Sequence, residues 1–370
     1  MDYNKKYIKY KKKYISLQKG GKIISSIYEC KGDIINPFRP EIIEGATPSP
    51  EIKSVGIFKN VHIPGYFNIG EKKYYFKNII NSGAHGKVYK YQSDDMHIIA
   101  VKIGDIEDDI GVLKILKNGN VCKDLYIRST VTPDNKYIVM DLVNGSLQDL
   151  YKEQNSIDIL FIMHILKEVV VALKCLHDVG LYYTDVTLEN ILYTCIDNNY
   201  KIILADMGSA TLYGKDYSIK YPLYSDAHKK FENDRLRRLD KSQDKQKIFT
   251  TEKAIVWGVG IFLLQLLRED FSKYDWVSMR TLSKEQFIYY LNIHKKRYPI
   301  FEDIITVILD INHPQINLEG LLAMLEKKID DEQKPGRKEE REKLEAAAKK
   351  YHLEIPLLRH SYDDPIDRLL

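Results

Sequence analysis

The order of strand-like and helix-like segments is the strongest constraint that this sequence places on the fold. Between residues 74 and 143 the apolar residues occur in short β-branched and aromatic runs, such as "HIIAVKIG" and "KYIVMDLV". From residue 144 onward the apolar segments are longer, and "AIVWGVGIFLLQLL" is typical of a buried helix. Strands followed by helices predict an α+β, two-lobed fold, with a small β-rich lobe at 74–143 and a larger helical lobe at 144–326.

The segments outside these lobes have a different composition. Residues 1–29 are basic and rich in Tyr and Lys, and their tyrosines recur at helical spacing, which predicts either a solvated helix or a helix that contacts a partner. Residues 30–73 contain several prolines and predict a linker or an extended strap. A basic insertion at 225–247 and a charged helix and tail at 327–370 are predicted to be surface elements.

Charge, cysteine spacing and apolar run length argue against a nucleic-acid partner, a cysteine metal site and a membrane-spanning segment. The formal net charge is +4 with 29% charged residues, so we do not expect nucleic acid to be a partner. The four cysteines lack metal-type spacing and predict free thiols in a reducing compartment. The longest apolar run is shorter than the roughly 20 residues that span a bilayer. We therefore expect a soluble intracellular protein, cytoplasmic or virion-associated, without a transmembrane segment.

A glycine loop precedes a lysine-bearing strand in the predicted β-rich lobe. The loop "NSGAHGKV", at 81–88, lies between two predicted strands, where it can form a flap over nucleotide phosphates. Lys102 lies in the apolar run "IAVKIG", within reach of the phosphates in such an arrangement. A lysine in an apolar strand needs a carboxylate partner, for which Asp109 and Glu107 are the two candidates.

Two segments further along the chain carry the polar groups that phosphoryl transfer requires. In "LYYTDVTLEN", Asp185 is followed five residues later by Asn190, and "ADMGSA" contains Asp206. Oxygen ligands such as Asn190 and Asp206 suit a hard cation. A carboxylate such as Asp185 can orient a hydroxyl or accept its proton. The alternative is that all three are ordinary turn residues.

The order glycine loop, "AVK", "DIGVLKIL", "YIVMDLVNGSLQDL", "LYYTDVTLEN" and "ADMGSA" resembles the eukaryotic-type protein kinase superfamily, in the style of a divergent serine/threonine kinase. The resemblance implies ATP and Mg²⁺ as cofactors, an unidentified protein substrate, Asp185 as catalytic base, and Asn190 and Asp206 as metal ligands. The residues that it implies for nucleotide binding are Ile80, Asn81, Ser82, Gly83, Ala84, His85, Gly86, Lys87, Val88, Lys102, Asp109, Met140, Asp141 and Val143.

The sequence departs from the kinase pattern at several positions. Asn81 replaces the first loop glycine, and Asp109 replaces a Glu. Tyr183 and Thr184 replace His-Arg, Thr187 replaces a Lys that assists the transferred phosphate, and Ile255 replaces a bracing Asp. These departures leave two alternatives to a protein kinase: a pseudokinase that serves as a binding module, and a small-molecule kinase. The Lys-, Ile- and Tyr-rich composition resembles proteins of giant DNA viruses.

Overall fold

The strand-rich part of the sequence forms a seven-stranded sheet within the described residues. The computed structural model describes residues 45–83, 86–119, 121–153, 158–183, 185–196, 199–212, 252–267, 284–309, 316–334 and 336–354. The chain divides into two units, the first comprising the chain up to Leu150 and Glu189–Gly208, and the second Tyr151–Leu188 and the chain from Ser209. The predicted boundary at 143–144 therefore falls slightly too early, and it misses the later segment that belongs to the first unit.

The main sheet of the first unit is antiparallel throughout. Its strands are β1 (Thr47–Pro48), β4 (Tyr66–Ile69), β5 (Lys72–Ser82), β6 (Gly86–Ser93), β7 (Ile98–Gly104), β8 (Ser129–Val131) and β9 (Ile138–Asp141). Their order across the sheet is β1-β4-β5-β6-β7-β9-β8. Strands β2 (Ser54–Phe58) and β3 (Val61–Pro64) form a separate hairpin. Helix α1 (Glu107–Gly119) follows β7, and its acidic first turn complements the helix dipole.

Aromatic side chains form the core on one face of this sheet. Phe67, Tyr74, Tyr91 and Tyr137 are buried together with aliphatic residues of β7 and β9. The ring of Phe67 meets those of Tyr91 and Tyr137 edge to face, at centroid distances of 5.0 and 5.4 Å. Such edge-to-face pairs stabilise a core beyond the area that they bury. The tyrosine-rich composition therefore supplies the core of the β-rich lobe.

Part of the segment predicted as a linker or strap is folded onto the sheet, which corrects that prediction. Strands β1 to β4 lie within residues 47–69, and Phe58, Val61 and Ile63 pack against the aromatic core. Their apolar positions are separated by turns and prolines, so no alternating run is long enough to be recognised from the sequence. The β-rich unit therefore begins well before residue 74.

A smaller sheet and a helix complete the first unit. Strands β10 (Gly145–Ser146), β12 (Ile191–Ile196) and β13 (Asn199–Leu204) form the antiparallel order β10-β12-β13. The backbone of Leu204 is hydrogen-bonded to Leu125 and Ile127, the segment that leads into β8. Helix α2 (Leu147–Glu153) follows β10 directly.

The second unit is built from helices in its described part. They are α3 (Ile159–Asp178), α4 (Glu252–Leu266), α5 (Lys284–Arg297), α6 (Glu302–Leu309), α7 (Leu318–Glu332) and α8 (Arg337–Glu354). Strands β11 (Leu181–Tyr183) and β14 (Ala210–Leu212) form an antiparallel pair. The side chain of Asp158 caps α3 by accepting hydrogen bonds from the backbone N–H groups of Leu160 and Phe161. Helices α3 and α4 are apolar around most of their circumference and are largely buried, as the sequence predicts.

Helix α8 falls in the charged C-terminal stretch that was predicted to be solvated. Arg341 on this helix is only 4% exposed, and its Nη1 donates a hydrogen bond of 3.1 Å to the backbone oxygen of Glu332. Arg341 also faces the carboxylate of Asp158 at 3.8 Å. The stretch is helical as predicted, but a charged residue of α8 lies in the interior of the second unit.

Several expectations concern residues that the structure does not describe. The basic segment 1–29, the insertion 225–247 and the tail beyond Glu354 all lie outside the described residues. The expectation of free thiols is wrong for Cys122, Cys175 and Cys195, which are disulfide-bonded. Spacing along a sequence does not reveal which distant cysteines meet in space. None of the described helices is both long enough and apolar enough to cross a membrane.

Candidate active site

The glycine loop is a β-hairpin connection, as the sequence predicts. Ile80, Asn81 and Ser82 end β5, while Gly86, Lys87 and Val88 begin β6. Asn81 is paired with Val88, and Ser82 with Lys87. The N–H of Gly83 donates a 2.9 Å hydrogen bond to the oxygen of Gly86 and closes the loop. Ala84 and His85, at its tip, lie outside the described residues.

Gly86 approaches the neighbouring strand too closely for a side chain. A Cβ at this position would meet the backbone oxygen of Ile103 at 2.9 Å and the Cε of Lys102 at 3.6 Å. The first distance is shorter than a Cβ can tolerate, so a substitution would push the loop away from β7. The absence of a side chain therefore brings the glycine loop next to Lys102.

Lys102 lies between two carboxylates of the first unit. Its Nζ is 3.0 Å from both oxygens of Asp109 and 2.6 Å from Oδ1 of Asp206. Lys102 comes from β7, Asp109 from the first turn of α1, and Asp206 from the segment after β13. Glu107, the competing candidate, is exposed. The structure thus selects Asp109 as the partner of Lys102 and adds Asp206 as a second one.

Burial and charge act in opposite directions on this cluster. Burial alone would lower the pKa of Lys102, but the negative charges of Asp109 and Asp206 outweigh it and raise the pKa. Burial raises the pKa of Asp109, although the Lys102 ammonium opposes that shift. Lys102 is therefore charged at neutral pH, and two carboxylates share its single positive charge.

The backbone around Asp206 brings it and Gly208 close to α1. Asp206 has a φ of +51°, in the left-handed region that Asp adopts more readily than most residues. A short 3₁₀ turn, Met207–Ser209, follows it. The backbone N–H of Gly208 donates to the carboxylate of Asp109, and a Cβ at residue 208 would meet Oδ2 of that carboxylate at 2.8 Å. The "DMG" sequence therefore contacts Lys102 through its Asp and Asp109 through its Gly.

Asn190 precedes β12 in the same unit. Its backbone oxygen accepts a 2.9 Å hydrogen bond from the N–H of Ala205, the residue immediately before Asp206. The hairpin β12–β13 thus brings the backbones of the two predicted metal-ligand segments together. Asn190 and Asp206 both have side-chain oxygen atoms, which are the ligands that a hard cation prefers.

Three of the predicted nucleotide-binding residues, Met140, Asp141 and Val143, lie at and after the end of β9. Met140 is buried and paired with Ala100 of β7, while Asp141 is the last residue of β9 and Val143 follows it. The carboxylate of Asp141 is held by Arg128, with Nε to Oδ2 at 2.7 Å and Nη2 to Oδ1 at 2.6 Å. Sequence reasoning missed this bidentate pair, because nothing local connects residues 13 positions apart across a β8–β9 turn.

The remaining predicted residues belong to the second unit. Asp185 follows β11, and Thr184, between them, lies outside the described residues. Tyr183 and Ile255, which replace polar residues of the kinase pattern, are both buried. Thr187 is only 7% exposed. Residues 183 and 255 therefore lie in the interior of the second unit.

Comparisons with known proteins identify relatives among protein kinases. The chain is 29% identical over 172 residues to "Calcium/calmodulin-dependent protein kinase type 1" of Caenorhabditis briggsae, covering 40% of this chain and 45% of the relative. It is 28% identical over 157 residues to "Probable serine/threonine-protein kinase zyg-1" of the same organism, covering 40% of this chain and 22% of the relative. The type 1 kinase of Caenorhabditis elegans is 30% identical over 159 residues, covering 37% and 42%.

The chain thus spans less than half the length of these curated relatives. The family model of the protein kinase domain matches residues 74–315, well over half of the chain and including every predicted site residue. The two-lobed α+β fold expected from the sequence is confirmed by this match. The chain belongs to the protein kinase domain family.

Proposed function

We propose that this protein is an ATP- and Mg²⁺-dependent serine/threonine-protein kinase. The observation that carries the proposal is the buried cluster of Lys102, Asp109 and Asp206 beside Gly86 of the glycine loop. Lys102 is held in place by Asp109 and is next to the loop that would cover the nucleotide. This arrangement suits a site that binds phosphates and positions them for transfer.

The described residues of the first unit would bind the nucleotide in three ways. Backbone N–H groups of the glycine loop would donate to phosphate oxygens, which the close approach at Gly86 favours. Lys102 would pair with the phosphates, since its charge is maintained by Asp109. The chain between Met140 and Val143 would contact the adenine, and the Arg128 pair would hold that segment in register.

Asn190 and Asp206 fit a magnesium site. Asp206 contacts Lys102 through Oδ1, and its side chain is partly exposed, so the carboxylate remains accessible. Because Asp109 and Asp206 share one ammonium, the cluster carries surplus negative charge that favours a cation. When bound, Mg²⁺ would neutralise charge on the phosphates as it develops during transfer.

Asp185 would act on the hydroxyl that receives the phosphate. A carboxylate orients such a hydroxyl and accepts its proton, which leaves the oxygen as the nucleophile. We assign the hydroxyl to Ser or Thr of a protein, because one of the curated relatives that the chain matches is named a probable serine/threonine-protein kinase. Thr187 provides no cation for the transferred phosphate, so we expect slow turnover.

The test is phosphate transfer from ATP to generic protein substrates, alongside nucleotide affinity, each measured with and without Mg²⁺. Asp185→Asn should lower transfer about 10²–10⁴-fold and leave ATP affinity unchanged, because Asp185 acts on the hydroxyl. Asp206→Asn should weaken both transfer and Mg²⁺-dependent ATP binding. Matched controls are Asp178→Asn at the end of α3 and Asp124→Asn in the first unit, both partly exposed carboxylates that should change neither quantity.

The outcomes separate the proposal from its alternatives. Transfer by Asp185→Asn at the wild-type rate would exclude Asp185 as the base. Binding of ATP by the wild type without any transfer would identify a pseudokinase. Transfer to small molecules and not to proteins would identify a small-molecule kinase.

A further inference from the structure

The hairpin formed by β2 and β3 precedes the segment that matches the kinase family, which begins at residue 74. It is nevertheless fixed to the sheet of the first unit. Two buried tyrosines of that sheet donate hydrogen bonds to its backbone, Tyr91 to Pro64 and Tyr137 to His62, each at 2.8 Å. Phe58, at the end of β2, packs against the aromatic core. The hairpin is therefore an integral part of the nucleotide-binding unit.

The turn of this hairpin has a backbone conformation that its sequence does not favour. Lys59 and Asn60 have φ values of +48° and +62°, as a two-residue hairpin turn requires. Asn is common in such turns, but Lys is not, because its Cβ disfavours the left-handed region. A residue that persists in a disfavoured conformation suggests that its side chain has another role.

The side chains at this turn contact the strand that follows the glycine loop and the chain just before α1. Lys59 Nζ lies 2.6 Å from Oδ2 of Asp105, in the connection between β7 and α1. The Nζ of Lys87 lies over the ring of Phe58, 4.6 Å from its centroid, and Lys87 directly follows Gly86 of the glycine loop. Adjacent residues of the hairpin thus touch the glycine-loop strand and the start of the helix that carries Asp109.

We propose that Phe58 and Lys59 are positioning residues that hold the glycine loop and α1 in register with Lys102. Strands β6 and β7 already align Lys87 with Ile103, next to Lys102. The Lys59–Asp105 pair anchors the chain just before α1, two residues before its first turn and four before Asp109. Without that anchor α1 loses a constraint on its first turn, and Lys102 is less well held by Asp109. This inference rests on the proposed nucleotide-binding function of the site.

The proposal predicts a charge-dependent effect on nucleotide binding. Lys59 and Asp105 are 34% and 66% exposed, so water and salt weaken their attraction. Lys59→Asp should raise the KM for ATP about two- to fivefold, since it replaces an exposed ion pair with a repulsion. The KM for the protein substrate should stay unchanged. Lys59→Arg should retain the wild-type KM for ATP. The double variant Lys59→Asp/Asp105→Lys, in which the two charges are swapped, should restore most of the wild-type KM.

A second readout does not depend on turnover. Amide hydrogen exchange of the free protein should become faster at residues 107–113 and 86–88 in Lys59→Asp. It should return towards the wild-type rate in the double variant with swapped charges. The matched control is Lys72→Asp, which breaks the exposed Lys72–Asp95 pair in the same sheet, away from the glycine loop. The control should lower stability by a similar small amount and leave both readouts unchanged.

Each outcome decides between the possibilities. Equal KM values and exchange rates in wild type and Lys59→Asp would overturn the proposal, as would a matching response in Lys72→Asp. If the double variant does not recover the wild-type KM for ATP and exchange rates, Lys59 has only a structural role. If the wild type transfers no phosphate while exchange still responds to Lys59→Asp, the positioning role stands and the proposed kinase function fails.

Discussion

Two partly buried ionic clusters, one in each unit, contain similar groups but differ in their balance of charge. In the first unit, one ammonium, from Lys102, is shared by Asp109 and Asp206. In the second, Arg341 faces Glu332 and Asp158, and Arg337 donates to Glu332 at 2.6 Å. Arg337 also pairs with Glu340, whose side chain is 57% exposed to water. Without that exposed carboxylate, the second cluster has two positive and two negative groups, whereas the first has one positive and two negative.

The difference in charge balance indicates the difference in role. A buried cluster with equal numbers of positive and negative hydrogen-bonded groups joins structural elements and does not require a further ion. The cluster in the first unit is electrostatically incomplete, which raises the pKa of Lys102 and favours the approach of a cation. Incomplete compensation of buried charge is thus a physical sign of a binding site.

Removal of the central cation should distinguish the two clusters most sharply. Lys102→Ala should lower kcat/KM for ATP roughly 10²–10³-fold, because it removes an electrostatic group from the phosphates. Its effect on the free energy of unfolding should be small, since burial already raises the pKa of Asp109 and this carboxyl can take up a proton. Steady-state kinetics and urea unfolding of the same sample measure both quantities.

The control for this prediction is Lys90→Ala, a substitution on β6 of the same sheet that should leave the kinetics unchanged. Equal ATP affinity and turnover in the wild type and Lys102→Ala would remove Lys102 from the site. A large loss of stability in Lys102→Ala would mean that the first cluster is structural like the second.

The second cluster should respond in the opposite way. Arg341→Ala should destabilise the fold by about 3 kcal/mol, because Glu332 remains buried with one fewer partner. ATP affinity should not change. The comparison variant is Lys343→Ala on the same helix, whose exposed pair with Glu339 should contribute less than about 1 kcal/mol. Similar urea midpoints for the two variants would contradict a structural role for Arg341.

The buried, neutral His164 of the second unit should make the free energy of unfolding depend on pH. Burial, reinforced by Lys167, lowers the pKa of His164 on α3 to about 4, against the opposing effect of Asp158. The unfolded chain binds a proton near pH 6.5, whereas the folded chain does not, so stability falls as pH falls from 6.5 to 4. Between pH 7 and pH 5 the loss should be roughly 2 kcal/mol.

The measurement for His164 is urea unfolding across this pH range. His164→Gln should flatten the dependence. An unchanged slope in His164→Gln would show that other groups cause the acid sensitivity.

The sequence predicted the elements whose chemistry is local. The strand-then-helix order, the glycine hairpin and the Lys102–Asp109 contact follow from short motifs, whose residues are close along the chain or in adjacent elements. The Arg128–Asp141 pair, the burial of Arg341 and the hairpin at 54–64 were not predicted. Each of these depends on contacts between segments that carry no shared pattern, and side-chain contacts across a fold leave no periodic signal in the sequence.

The two tyrosine hydroxyls that hold the hairpin also give the protein an optical reporter. Burial raises the pKa of Tyr137 to about 12 and that of Tyr91 further, and both hydroxyls are donors to the hairpin backbone. A phenolate cannot donate, so ionisation of either residue removes its hydrogen bond to the hairpin backbone. Burial also raises the pKa of Tyr74, Tyr89, Tyr126 and Tyr151, so these residues share the late part of the alkaline rise in tyrosinate absorbance. The part that Tyr137 contributes should move towards pH 10 in any variant whose hairpin is loose.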